Sequence, residues 1–122
     1  MKKKTVTQLK KKLWEECRRI SIEKYGNICF TCGAYCEGSG RHLGHFIPSS
    51  TCGAFLRYDL RNLRIQCYRC NINGGGQGAE FYKRLVETEG QEYVDQLFKD
   101  KNISIKADTW WYEEMINKYK QL

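Results

Sequence analysis

The chain has 122 residues, 21 Lys and Arg against 14 Asp and Glu for a net charge of +7, and seven cysteines. That length suits one domain with a moderate core, which a metal cross-link would help substantially. No apolar signal segment follows the basic amino terminus and no apolar run is long enough for a bilayer, which argues against secretion and membrane spanning and leaves a reducing cytoplasm, where paired cysteines read as metal ligands before disulfides.

The charge is uneven. Residues 1–24 carry nine Lys or Arg against three Glu, residues 25–78 five against two, and residues 79–122 seven against nine. The basic surface therefore belongs to the front of the chain and to the cysteine region. Such a surface commonly meets a polyanion, because binding releases condensed counterions; a merely solubilising lysine face is the plainer alternative.

In chain order, Leu9, Leu13, Cys17 and Ile20 recur at helical spacing among charged residues, so residues 6–24 read as an amphipathic helix ended by Gly26. Residues 27–40 are rich in Cys, Gly and small side chains and read as tight turns. "HLGHFI" and "NLRIQC" read as two short strands joined by the loop "PSSTCGAFLRYDLR", and "GGGQG" as a turn. Phe81, Leu85 and Val86 mark a helix that Gly90 closes, and Val94, Leu97 and Phe98 mark another. Asp108 caps a last helix with Tyr112, Met115, Ile116 and Tyr119 on one face. The expected organisation is one α+β domain over residues 1–122: a basic helix over 1–24, a metal-bound core over 25–90 and carboxy-terminal helices over 91–122.

Cys29, Cys32, Cys67 and Cys70 form the pattern C-x2-C-x34-C-x2-C. Two residues between thiols let one turn aim both sulfurs at one ion, and two such turns complete a tetrahedron around Zn²⁺. A shell of four thiolates has no open position, so this zinc is expected to be structural. Buried free thiols or a redox pair are the alternatives. Cys17 falls on the apolar face of the first helix, while Cys36 and Cys52 stay unassigned.

The only two histidines, in "RHLGHFIP", lie between the cysteine pairs. His45 is near the end of the first strand, Asn62 opens the second and Asn71 follows the last cysteine. If zinc clamps these elements together, the three groups converge. A neutral imidazole suits a general base for water, and Asn oxygens suit a hard cation such as Mg²⁺. Taken singly, each is also an ordinary hydrogen-bonded His, turn Asn or helix-capping Asn.

"CFTCG", "GHFIP", "LRYDLRN", "QCYRCN" and "GAEFYKRL" together resemble the phage lambda NinG (Rap) recombination proteins, from about Leu13 to Leu97. More distantly they resemble the zinc-bearing HNH nucleases, including the phage T4 recombination endonuclease, in which a treble-clef zinc site supports a ββα-metal active site. NinG proteins are longer at the amino terminus and have there a further cysteine cluster that this chain lacks, so no role of that extension is carried over.

The resemblance implies a treble-clef, HNH-like core over 25–90 flanked by helices, and metal-dependent cleavage of branched DNA such as Holliday junctions and D-loops with Mg²⁺ or Mn²⁺. It implies that His45 activates the water, Asn62 pins the loop orienting it and Asn71 binds the catalytic metal. Many HNH enzymes have an Asp before the His, where this chain has Gly44. His42, Glu80 or Asp59 are the candidates to replace that metal ligand. The rival readings are a zinc-stabilised DNA-binding module that cuts nothing and a zinc-ribbon protein adaptor with Trp110, Trp111 and Tyr112 at its surface.

Two cuts on a four-way junction call for two sites in two-fold relation, so a homodimer is expected, with the apolar stripes of the first helix and of Trp111, Met115 and Tyr119 as its material. Other phage or host recombination proteins are possible partners, and the compartment implied is the cytoplasm of a host cell.

Overall fold

The computed structural model describes residues 3–122, so Lys2 of the basic run at 2–4 lies outside the described residues. Helix α1 spans Val6–Tyr25. Thr5 starts it with a reciprocal cap: its hydroxyl accepts from Gln8 N at 3.2 Å while Gln8 Oε1 accepts from Thr5 N at 2.9 Å, which satisfies two backbone donors that the first turn leaves without partners. Gly26 closes the helix at φ +70°, a left-handed conformation available to glycine at little cost.

Leu9, Leu13, Cys17 and Ser21 recur every fourth residue and are the buried face of α1. Their partner is the last helix, α5 (Thr109–Lys120), whose buried face is Tyr112, Ile116 and Tyr119. Asp108 caps α5 by accepting from Trp111 N at 3.0 Å. The apolar stripes expected to supply a dimer contact are thus packed on each other within one chain. Of the aromatic triplet, Tyr112 is core, Trp111 packs at its margin and Trp110 is 66% exposed.

Between these helices and the rest of the chain lies a two-stranded antiparallel sheet. Strand β1 (Arg41–His45) pairs with β2 (Leu63–Cys67), with Arg41 opposite Cys67 and His45 opposite Leu63. β1 stops at His45, short of the "HLGHFI" expected, because Phe46 and Ile47 leave the ladder and enter a second apolar cluster. The long loop between the strands contains a four-residue helix, α2 (Ala54–Arg57), that the sequence pattern did not mark.

Alternation along the strands sets up the two cores. Leu43, Leu63 and Ile65 face α1 and α5. On the other side, α3 (Gly78–Glu89) and α4 (Gln91–Asp100) bury Phe81, Leu85, Val94 and Leu97 with Phe46, Ile47 and Leu56. Gly90 closes α3 as expected. Among the described residues no helix is long and apolar enough to cross a membrane.

Candidate functional site

Two turns build the cysteine centre. In the first, Cys29 N donates to Ala34 O at 2.8 Å and Gly33 N to Cys29 O at 2.9 Å, folding residues 29–34 into a tight knuckle. Phe30 N donates to Ile65 O at 2.8 Å, which docks the knuckle on β2. The second pair sits where β2 ends at Cys67 and a π-helical turn, Arg69–Asn73, begins.

The four sulfurs lie within 4.8 Å of one another. Cys32 Sγ and Cys67 Sγ are 3.7 Å apart, close to the edge of about 3.8 Å that a tetrahedron with Zn–S bonds of ~2.3 Å requires. The tetrad can therefore hold a structural ion such as zinc. Burial opposes ionisation of Cys29, but bonds from the Thr31 hydroxyl and from the backbone of Cys67, Cys32 and Thr31 overcome it and lower its pKa to about 6. Cys70 is pushed up to about 12 by burial and by the neighbouring thiols, a cost that a divalent charge at the centre would remove. Among the described residues this is the one group of three or more Cys, His, Asp or Glu side chains close enough to share an ion.

Beside it, the polar residues form two groups, not one. His45 projects to the α1 side, where its ring stacks on Trp14 at 5.2 Å between centroids. Its Nε2 lies 2.9 Å from Arg57 O. A carbonyl only accepts, so Nε2 carries the proton and Nδ1 is left as the base. Burial, aided by the Arg57 charge, outweighs that bond and lowers the His45 pKa below 6.5. Asn62, fully buried, accepts from Ile47 N at 2.8 Å and donates to Ile47 O at 3.0 Å, tying the chain just after His45.

His42, three residues earlier, points to the opposite face of the sheet. Its Nε2 donates to Ser39 O at 3.2 Å and its Nδ1 accepts from Asn71 Nδ2 at 3.1 Å. The expected convergence of His45, Asn62 and Asn71 is therefore replaced by a His45–Asn62 group and a His42–Asn71 group, because an odd spacing along a strand divides its faces. His42 was also a candidate cation ligand, yet its Nδ1 lone pair is spent on Asn71. A cleft of about 290 Å³ includes Trp14, Arg18, Arg41, His42 and Asn71, and His45 meets it through its stacking partner Trp14.

A family model described as "Bacteriophage Lambda NinG protein" matches residues 1–122. The chain belongs to the NinG family. Among curated relatives, "Protein ninG" of Escherichia phage 933W and "Protein ninG" of Enterobacteria phage VT2-Sa are each 29% identical to it over 86 residues, which is 70% of this chain and 40% of the relative. The match thus spans about two fifths of the length of these relatives. No solved structure matches the chain.

In this NinG chain both carboxylates proposed to replace the Asp absent at Gly44 are paired with arginines. Glu80, in the first turn of α3, is paired with Arg84 at 3.0 Å. Asp59 is held by Arg61, whose Nη2 also reaches Asp100 at 2.8 Å. Cys36 and Cys52 are buried outside the tetrad.

Sequence pattern missed three residues here. Trp14 gave no signal beyond its place in a helix. Arg64, 2% exposed, donates to the carbonyls of Leu60, Arg61 and Leu63 and stacks on Tyr25 at 4.9 Å. Gln66 is fully buried, opposite His42 in the ladder.

Proposed function

We propose that this NinG-family chain is a metal-dependent, structure-selective endonuclease with a treble-clef, HNH-like core, acting on branched DNA such as four-way junctions and D-loops in phage recombination. The observation that carries the reading is His45: a half-buried imidazole held by Trp14 and Arg57 O, with Nδ1 unprotonated and a lowered pKa. Its stacking partner Trp14 lines the cleft that also holds Arg18 and Arg41.

In the proposed reaction His45 Nδ1 takes a proton from the attacking water, whose oxygen forms a bond to phosphorus as the bond to the 3′ oxygen breaks, giving a 5′-phosphate and a 3′-hydroxyl. Arg18 and Arg41, both in the cleft, hold the phosphate backbone. Asn62 fixes the segment carrying His45. Asn71 would hold a Mg²⁺ or Mn²⁺ ion, which would supply charge stabilisation at the phosphate oxygens. The working partner is DNA, met by a homodimer in a host cell's cytoplasm, alone or with other recombination proteins. With the α1 and α5 stripes consumed, the second copy must use another surface, and Trp110 is the most exposed of the aromatic side chains available to it.

Gly44, where a metal-binding Asp would be expected, favours a second reading: a zinc-stabilised module that binds branched DNA without cutting it. Zinc-loaded protein incubated with a labelled four-way junction and a matched duplex, in Mg²⁺, Mn²⁺ or EDTA, separates the two. The nuclease reading expects metal-dependent nicks in the junction, and His45→Ala cutting at least ~10²-fold more slowly while binding the junction as wild type does. Binding without cuts in any metal leaves the second reading.

A further inference from the structure

Two amides, the buried Gln66 and the half-buried Asn71, bring their oxygens to Gly44. Gln66 Nε2 donates to Thr31 Oγ1 at 3.0 Å and to Gly76 O at 2.9 Å. Gly76 O can only accept, so the amide cannot be flipped, and Oε1 faces away from both. That oxygen is buried and has no hydrogen-bond partner. Asn71 is fixed in the same manner: Nδ2 is given to His42 Nδ1, which the Nε2–H bond to Ser39 O keeps as an acceptor. A Cβ built on Gly44 would lie 1.8 Å from Gln66 Oε1 and 3.2 Å from Asn71 Oδ1. Both oxygens therefore border the volume that a side chain at position 44 would fill. Gly44 has no positive φ, so the Gln66 amide, and not the backbone, excludes a side chain there.

A buried carbonyl oxygen without a donor, as Gln66 Oε1 is, costs free energy, and the neighbouring Asn71 Oδ1 cannot satisfy it because it too only accepts. A hard cation satisfies both. We infer that Gln66 Oε1 and Asn71 Oδ1 are the protein ligands of a divalent cation seated beside Gly44, with Gln66 taking the place of the carboxylate that the strand lacks.

This assignment rests on the nuclease reading for the cation's use, but not for its binding. His42 is then a positioning residue, orienting the Asn71 amide. Thr31 links the site to the cysteine centre, since its hydroxyl lies 3.4 Å from Cys29 Sγ and accepts from Gln66. A neutral pair of ligands binds weakly and leaves several positions to water and to a substrate phosphate, the coordination Mg²⁺ favours.

The test is Mn²⁺ titration of zinc-loaded wild-type protein, followed by paramagnetic broadening in NMR spectra and by water-proton relaxation. Broadening should centre on the Gly44 amide and the Gln66 and Asn71 side-chain amides. Gln66→Leu, with zinc retained, should weaken Mn²⁺ binding about 10-fold. Gly44→Asp combined with Gln66→Ala, which puts a carboxylate into the vacated space, should restore it to wild-type strength or better.

Broadening centred elsewhere, or none, overturns the assignment without any variant. Unchanged Mn²⁺ binding by a zinc-loaded Gln66→Leu protein does so as well. Junction cutting by a protein that binds Mn²⁺ away from Gly44 keeps the nuclease and removes this site. Mn²⁺ at Gly44 with no cutting does the reverse.

Discussion

His45 and Arg64 show how one buried polar side chain acquires a task from its surroundings. The His45 pKa is lowered first by burial, so the folded protein prefers the neutral ring, and the unfolded chain binds more protons near and below the ordinary value of 6.5. The stabilising contribution is complete above that value and is lost as pH falls from it through the lower folded value. Urea midpoints of zinc-loaded protein should therefore fall more between about pH 7.5 and about pH 5.5 for wild type than for His45→Gln, the cysteine contribution being common to both. Equal falls would show that the ring is not desolvated. Arg64 answers the burial of its charge differently. Its Nη1 donates to three carbonyls and its Nη2 to the Tyr93 hydroxyl, while the guanidinium lies against the faces of Tyr25 and Phe30.

Helices α1 and α5 lie at opposite ends of the chain, and their pairing closes one core over the sheet. Leu9, Leu13 and Cys17 meet Tyr112, Ile116 and Tyr119. Two side-chain bonds lock the pair to the loop between the strands: Cys17 Sγ and Tyr119 Oη both donate to Tyr58 O, the latter at 2.6 Å. Leu13 is wholly buried, so Leu13→Ala removes the packing of three heavy atoms for no polar gain. The loss expected is about 2–5 kcal/mol in urea unfolding, accompanied by lowered protection of α5 amides in hydrogen exchange. A loss below ~1 kcal/mol would mean that α5 packs loosely. The same pairing sets the position of the cleft, because it fixes Trp14 and Arg18 of α1 beside β1.

With a sheet of only two strands between two apolar clusters, the molecule depends on the cysteine centre to join its halves. The knuckle carries Phe30 into the α3–α4 cluster, while Cys29 and Cys70 are packed into the α1–α5 cluster. Zinc bound there would couple the two cores, at an apparent ~10–16 kcal/mol by analogy with small zinc domains. Removing it with a strong chelator, or replacing Cys29 or Cys70 by Ala, should abolish cooperative unfolding and expose apolar surface, measured by near-UV circular dichroism and dye binding together with metal analysis. A purified protein that is folded and zinc-free would remove the metal centre and the scaffold argument built on it.

The four longer helices, their caps at Gly26, Gly90 and Asp108, and the cysteine pairs were legible in the sequence, because each is written in contacts between residues a few positions apart. Helical periodicity, the αL preference of glycine and the C-x2-C turn need no knowledge of the rest of the chain. The division of the histidines was legible in principle, since a spacing of three along a strand always separates the faces, but it needed the bounds of β1. Tertiary structure alone decided that the α1 and α5 stripes cover each other, that Trp14 stacks on His45, and that Gln66 fills the space over Gly44. Those contacts join residues 22 to more than a hundred positions apart. No local pattern encodes which distant surface an exposed ring, a strand Gln or an apolar stripe will meet, because that is settled by how the two cores close around the sheet.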